Sequence, residues 1–300
     1  MEKLLVSFSG GETSAYMAYW LWNNKQEEYD MIFVFANTGQ ENEETLDFVR
    51  KCEIHFKIPI VWVEAKVFKN ERKSSSFTVT NYQKASRKGE PFEEVISKYG
   101  IPNITTPHCT RELKQNPIKA YSKSIGWVGN YTAIGIRYDE LGRMSGNMEK
   151  MKFYYPLIDM KITKPMVNDF WNSMPFRLEL KGYQGNCMAC WKKSDNKLYQ
   201  IAKEKQSCFN FTNKMEQKYG EFIPNSRLKI MKSKGIEPNL PVTFFRKNRS
   251  SLDIIQESKV DFKEPKDDSV VYEDEKGIPL NLDLLDNESC DIYSNCGNDE

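Results

Sequence analysis

The chain has 300 residues, 28% of them charged and 39% hydrophobic, and a formal net charge of +1. That is long enough for one large domain with appendages, and the composition is globular rather than disordered or fibrous. A near-neutral total argues against general polyanion binding, though a local basic patch remains compatible with it. No apolar run reaches the roughly 18–20 residues of a membrane helix. Seven cysteines, an odd number, read as reduced thiols of a cytoplasmic protein rather than as a secreted disulfide framework.

The apolar run Leu4-Leu5-Val6-Ser7-Phe8 predicts a strand over 3–8, so the N-terminus runs straight into structure and predicts no secretory leader. Ser9-Gly10-Gly11-Glu12-Thr13-Ser14 follows at once, and a helix over 14–24 comes next. Glycines let backbone N–H groups turn toward an anion, the hydroxyls of Ser7, Ser9, Thr13 and Ser14 add donors, and the helix points its positive end at the same spot. The segment predicts a phosphate cradle. It has neither the Gly-x-x-x-x-Gly-Lys form nor the Gly-x-Gly-x-x-Gly form of the common nucleotide loops.

Downstream, strands are predicted over 31–36, 60–64 and 131–136, and helices over 42–56 and 117–125. This alternation implies βαβ units and a parallel sheet, whose ligands bind at the carboxyl ends of the strands. Residues 66–104 interrupt the pattern and read as a polar, solvated insertion with a weak helix near 91–99. Helices over 165–174, 195–205 and 209–219 cap the sheet. From about Glu264 the chain turns acidic and predicts a poorly ordered tail.

Five segments in order resemble the phosphoadenosine phosphosulfate reductase-like family of the adenine-nucleotide alpha-hydrolase, or PP-loop, superfamily. The first is the Ser-Phe-Ser-Gly-Gly-x-Thr-Ser run beginning at Ser7. The second is Phe33 to Gly39 with Glu44-Thr45, and the third is Cys109-Thr110-Arg111-Glu112-Leu113-Lys114 with Pro117. The fourth is Ala133 to Arg137 with Asp139, Glu140 and Arg143, and the fifth is Tyr155-Pro156-Leu157-Ile158-Asp159 with Thr163. The chain departs from the family at Glu12-Thr13, where Lys-Asp is usual, and at Asn37, where Asp is usual. Glu12 is expected either to point away from the phosphates or to help hold a metal. The intact glycine pair leans toward ATP as ligand.

The resemblance implies a three-layer α/β fold with a parallel sheet, a helical cap and a disordered acidic tail. Its divisions are a nucleotide-binding domain over 1–175, a Cys-x-x-Cys extension over 176–260 and a tail over 261–300. It implies an adenine nucleotide held by Ser7, Ser9, Gly10, Gly11, Thr13 and Ser14, bordered by Thr38, Gly39 and Gly135, with Mg2+ if the nucleotide is ATP. Arg137, Arg143 and Lys114 are the expected contacts to developing negative charge.

Cys187-Met188-Ala189-Cys190 aims two sulfurs at one point, as iron–sulfur and zinc sites do. Cys109 supplies a third sulfur, and His108 beside it is a candidate fourth ligand. The expected alternatives are three cysteines holding a 4Fe–4S iron–sulfur cluster with one iron left open, the three with His108 holding a structural Zn2+, and a redox Cys187–Cys190 pair. Cys52, Cys208 and His55 read as packing residues, and Cys290 and Cys296 as tail cysteines, the latter an echo of the family's terminal Cys-Gly. Activation by ATP coupled to sulfur transfer is the function expected, with a sulfur donor or thiol reductant as partner and a nucleic acid as a possible acceptor. The alternatives are thiol-dependent reduction of phosphoadenosine phosphosulfate and non-catalytic nucleotide binding around a structural zinc.

Overall fold

The computed structural model describes residues 1–270, so the expected roles of Cys290 and Cys296 lie outside the described residues. Six strands form one sheet: β1 (Glu2–Phe8), β2 (Tyr29–Asn37), β3 (Ile60–Lys66), β4 (Ser76–Thr80), β5 (Tyr131–Ala133) and β6 (Phe153–Tyr154). Their order is β4-β3-β2-β1-β5-β6, and every pairing is parallel except the antiparallel edge β3–β4. Eleven α-helices are described. α1 (Glu12–Asn24), α2 (Glu43–Phe56), α3 (Glu90–Tyr99) and α4 (Asn116–Ser124) come first. The single-turn α5 (Met148–Met151) and α6 (Pro156–Asp159) and then α7 (Lys164–Ser173) follow. The remainder are α8 (Asp195–Glu204), α9 (Asn210–Tyr219), α10 (Asn225–Ser233) and α11 (Ser251–Glu257).

Period-two alternation along the central strands divides the core. Leu4, Val6 and Phe8 of β1 join Phe33 and Phe35 of β2 in one cluster with α1, α2 and α7, where Phe48 and Trp171 meet edge-to-face at 4.9 Å. Leu5, Val34, Ala36 and Val63 point the other way, to Ile118 of α4. Both faces are therefore covered, which is why these strands read as continuous apolar runs.

A third cluster joins Phe92, Val95 and Ile96 of α3 to Leu198, Phe209, Phe211, Met215 and Phe244. The polar insertion is thus more than solvated loop. It contributes β4, an edge strand, and α3, which packs into the Cys-x-x-Cys extension. The connection from β3 runs to an edge while β5 pairs on the other side of β1, so strand order reverses between β1 and β5. Ligands of open α/β sheets bind at such a switch point.

Candidate functional site

At the carboxyl end of β1 the chain turns through Ser9, Gly10 and Gly11 into α1. Gly10 has φ +85°, and a Cβ there would lie 2.7 Å from Thr45 Cγ2, so only glycine fits. Gly11 is the extended N-cap of α1. Ser14 Oγ donates to Gly11 O at 2.9 Å and accepts from Ser9 N at 3.1 Å and Ser9 Oγ at 2.9 Å. These two hydroxyls shape the loop rather than standing ready for a ligand. Thr13 Oγ1 accepts from Arg137 Nη1 at 3.1 Å, which leaves its own hydrogen for another acceptor. Gly135 packs against α1, where an added Cβ would stand 3.1 Å from Ser14 Cα.

These residues line a cavity of about 190 Å3. Ser9 to Ser14 form one wall, and Lys114, Gly135, Arg137 and Arg143 form the next. The opposite wall brings Lys164, Lys181, Asn186 and Lys197 from α7, α8 and the extension. Six basic and four acidic side chains line the space, an excess of positive charge. Lys114 reaches it from a π-helical turn, Arg111–Gln115, a geometry common at functional sites.

The cavity cations are held by carboxylates. Arg137 Nε donates to Asp139 Oδ1 at 3.0 Å, Arg143 pairs with Glu140, and Lys114 Nζ stands 4.0 Å from Glu41 Oε1. Glu12 lines the cavity but is neutralised by Arg177, which is not among the lining residues: its Nε and Nη2 each donate to the Glu12 carboxylate at 3.0 Å. Arg177 thus offsets the Glu12 charge beside the loop. Three expected ligand contacts, Ser7, Thr38 and Gly39, do not line the cavity. Ser7 lies within β1 and faces its neighbours in the sheet, and Gly39, at φ +76°, packs on Gly89, where an added Cβ would lie 3.0 Å from Gly89 Cα.

Thr38 belongs to a second, mostly apolar cavity of about 40 Å3, which shares Lys114 and Asn186 with the first. Cys109, Cys187 and Cys190 all line it, with Phe92, Leu113, Trp191, Phe211 and Phe244. The Cys-x-x-Cys turn is stitched to the end of β2: Met188 N donates to Gln40 O at 2.9 Å, and Glu41 and Cys187 form a bridge. Thr38 Oγ1 donates to Glu41, Thr38 N donates to Glu41 Oε2 at 2.9 Å, and Thr38 Oγ1 lies 3.5 Å from Cys187 Sγ. The three sulfurs expected together are thus brought to one cavity, next to the phosphate-sized one.

Residues 3–123 match the phosphoadenosine phosphosulfate reductase domain. The N-terminal part of this chain is similar to that domain, over less than half of the chain's length. The match runs from β1 through α4, so it takes in the PP loop, Cys109 and Lys114 and stops short of Gly135, Arg137, Arg143 and the Cys-x-x-Cys turn. An uncharacterized nin region protein of Escherichia phage lambda is 29% identical over 229 residues, 75% of this chain and 76% of its own. Two uncharacterized proteins of Methanocaldococcus jannaschii are 28% identical over 166 residues and 27% over 143. Those segments are 53% and 47% of this chain but only 33% and 24% of theirs.

His108 stands apart from the sulfurs. It is not among the residues lining their cavity, and its ring lies 5.7 Å from that of Tyr99. Burial, reinforced by the Arg111 charge, lowers its pKa to about 4. Among the described residues, no group of three or more His, Cys, Asp and Glu side chains is arranged to hold a metal ion. The expected ligand set of Cys109, Cys187, Cys190 and His108 therefore does not fit a four-ligand zinc or iron–sulfur site in this arrangement. The three thiols line one cavity, while the imidazole on the adjacent residue lies by Tyr99 at the end of α3.

The low pKa of His108 predicts a pH dependence. The unfolded imidazole takes its proton near pH 6.5 and the folded one only near pH 4. The unfolded state binds more protons between those values, so this contribution is complete above about pH 6.5 and is lost as pH falls toward 4. A shift of that size is worth about 3 kcal/mol. His108→Gln should flatten the acid limb of stability in that window, as read by urea midpoints between pH 4 and 7. A limb as steep as that of the parent would show that other groups carry it.

Asn37 accounts for another departure of this reductase-like domain. Fully buried, it donates through Nδ2 to Glu64 Oε1 at 2.6 Å and to Ser86 O at 2.9 Å, while its Oδ1 accepts from Gly39 N at 3.1 Å. An aspartate would put one carboxylate against another and strip two donors from the network. Asn37→Asp is expected to cost about 1–3 kcal/mol, the usual penalty for a buried group left unsatisfied, measured by denaturant unfolding at neutral pH. An unchanged midpoint would refute the network's role.

Proposed function

We propose that this protein is an enzyme that binds an adenine nucleotide with its phosphates in the 190 Å3 cavity and couples nucleotide activation to sulfur transfer at the adjoining thiol cavity. The observation that carries the reading is that adjacency: a glycine–hydroxyl loop at a helix N-terminus and three cysteines line two spaces that share Lys114 and Asn186. Backbone N–H groups of the loop and Thr13 bind the phosphates, and Arg137, Arg143 and Lys114 meet charge on the leaving group. With ATP, an acceptor oxygen attacks the α-phosphorus and pyrophosphate leaves. The outer sulfur of a persulfide, delivered to Cys187 by a persulfide donor, then displaces AMP from the acceptor. Cys190 attacks the resulting mixed disulfide at the Cys187 sulfur, releasing the thiolated acceptor and leaving a Cys187–Cys190 disulfide for the thiol reductant to reopen. Mg2+ would arrive on the triphosphate and screen it. The cavity's Glu12, Glu41 and Glu140 are tied to Arg177, Thr38 and Arg143, which leaves Asp268 as the lining carboxylate with an oxygen that accepts no hydrogen bond.

Cys187 and Cys190 are the sulfur-handling pair in this reading, fed by a sulfur donor or reset by a thiol reductant. Cys187→Ser and Cys190→Ser should abolish sulfur transfer while leaving ATP affinity within about twofold. Cys52→Ser and Cys208→Ser should keep both, because those thiols sit in the core, where burial pushes their pKa up. The test is calorimetry with ATP and with phosphoadenosine phosphosulfate, alongside pyrophosphate release. Affinity without pyrophosphate release would leave a non-catalytic binder, and release of sulfite from phosphoadenosine phosphosulfate would leave a reductase.

A further inference from the structure

Residues 262–269, after α11, stay on the protein. They run back along α8, where Phe262 meets Tyr199 at a ring separation of 5.5 Å and Glu264 Oε1 pairs with Lys203 Nζ at 3.0 Å. Gly182 N then donates to Asp267 Oδ1 at 2.8 Å, Asn168 Nδ2 to Asp268 O at 3.1 Å, and Arg177 Nη2 to Ser269 O at 3.4 Å. These contacts seat Asp268 and Ser269 on the rim of the phosphate cavity, which both residues line.

Asp268 Oδ1 is buried and accepts no hydrogen bond. Its nearest cation is Lys164 Nζ, 3.7 Å away, itself a cavity residue. The same oxygen is pressed against Gly182, where an added Cβ would lie only 1.5 Å from it. A carboxylate oxygen desolvated without a donor is poorly satisfied. The cation beside it is one that a phosphate oxygen would also seek.

We infer that residues 267–269 are a displaceable strap: Asp268 stands at the cavity as an internal anion, and ligand phosphates expel it by taking over Lys164. The inference rests on the reading that this cavity binds nucleotide phosphates. Binding and strap release are then thermodynamically coupled, so whatever loosens the strap tightens the ligand. Arg177 joins the two, since it holds Glu12 at the start of α1 and the Ser269 carbonyl together.

Two full-length variants test this by different physics. Asp268→Asn removes the competing charge. Gly182→Ala leaves every charge in place and pushes the strap out by its methyl group. If the strap is seated in nine of ten molecules, each variant should tighten the apparent Kd for inorganic pyrophosphate by about tenfold. Pyrophosphate should also speed tryptic cleavage after Lys266 in the parent, and Gly182→Ala should be cut as fast with no ligand present. Unchanged or weaker pyrophosphate binding in Gly182→Ala overturns the strap, and so does cleavage that saturating pyrophosphate leaves unchanged. If neither the parent nor either variant binds pyrophosphate or ATP, the nucleotide reading falls, and the strap with it.

Discussion

Gly11→Val is expected to fold and to lose nucleotide binding. The two loop glycines are not equivalent. Gly10 sits at φ +85° with Thr45 and Phe35 against its missing side chain, so a substitution there damages the fold as well as any site. Gly11 has φ −100° and ψ 160°, ordinary extended values, and an added Cβ would meet only Ser9 Oγ at 3.9 Å. As the N-cap of α1 it makes no side-chain cap hydrogen bond, and valine is a poorer N-cap than glycine, so the replacement costs the helix about 1 kcal/mol. Yet Gly11 lines the cavity, and a branched side chain would stand between a phosphate and the N–H groups that begin α1. The melting temperature should stay within a few degrees of the parent while ATP affinity falls at least about tenfold, some 1.4 kcal/mol. A folded Gly11→Val protein that binds ATP as tightly as the parent would remove the loop from the site. Gly10→Val, compared in parallel, should lose stability and binding together.

The contrast between those glycines marks what the sequence could and could not convey. The helix read over 117–125 lies at Asn116–Ser124 and that read over 42–56 at Glu43–Phe56, because each carries a clear apolar face. β1 and β2 were legible because both faces of the sheet are covered, which turns their strands into unbroken apolar runs. β4 was not: Ser76-Phe77-Thr78-Val79-Thr80 is a short edge strand behind a serine run, with Val79 exposed. The strand read over 131–136 stops at Ala133, since the chain leaves the ladder and Ile136 N donates to Ile134 O at 2.9 Å. That departure lets Gly135 reach Ser14. Local chemistry made the cradle visible, but the groups that finish it arrive from far along the chain. Arg177 meets Glu12 across 165 residues, and Lys164, Lys197 and Asp268 carry no local mark that would pick them out among the many charged residues. His108 was misplaced for the same reason: adjacency to Cys109 in sequence says nothing about which side of the backbone the ring takes.

Arg137 shows how a catalytic expectation changes once its neighbours are known. Placement after a strand end suggests an anion contact whose loss would spare the fold. In the folded chain, however, Arg137 is buried, with Nε on Asp139 Oδ1 at 3.0 Å and Nη1 on Thr13 Oγ1 at 3.1 Å and 3.4 Å from Glu140 Oε2. Asp139 Oδ2 in turn accepts from Lys164 N at the start of α7. Arg137→Ala would leave the buried Asp139 without its cation, while Glu140 keeps Arg143, a change that costs about 3–5 kcal/mol in comparable pairs, so its loss of activity would say little about catalysis. Arg137→Lys separates the roles. It keeps the charge that Asp139 and Glu140 need, but an ammonium cannot reproduce the planar fork that reaches Thr13 and the carboxylates together. Stability should recover most of what alanine loses. Pyrophosphate release should still fall about ten- to hundredfold, the rate equivalent of one lost charge-assisted contact of about 1.5–3 kcal/mol. ATP affinity should change less than turnover, because the contact strengthens as charge builds on the leaving phosphate. Full turnover in Arg137→Lys would reduce Arg137 to a structural counter-ion for Asp139 and Glu140 and leave the charge of the departing pyrophosphate to Arg143 and Lys114.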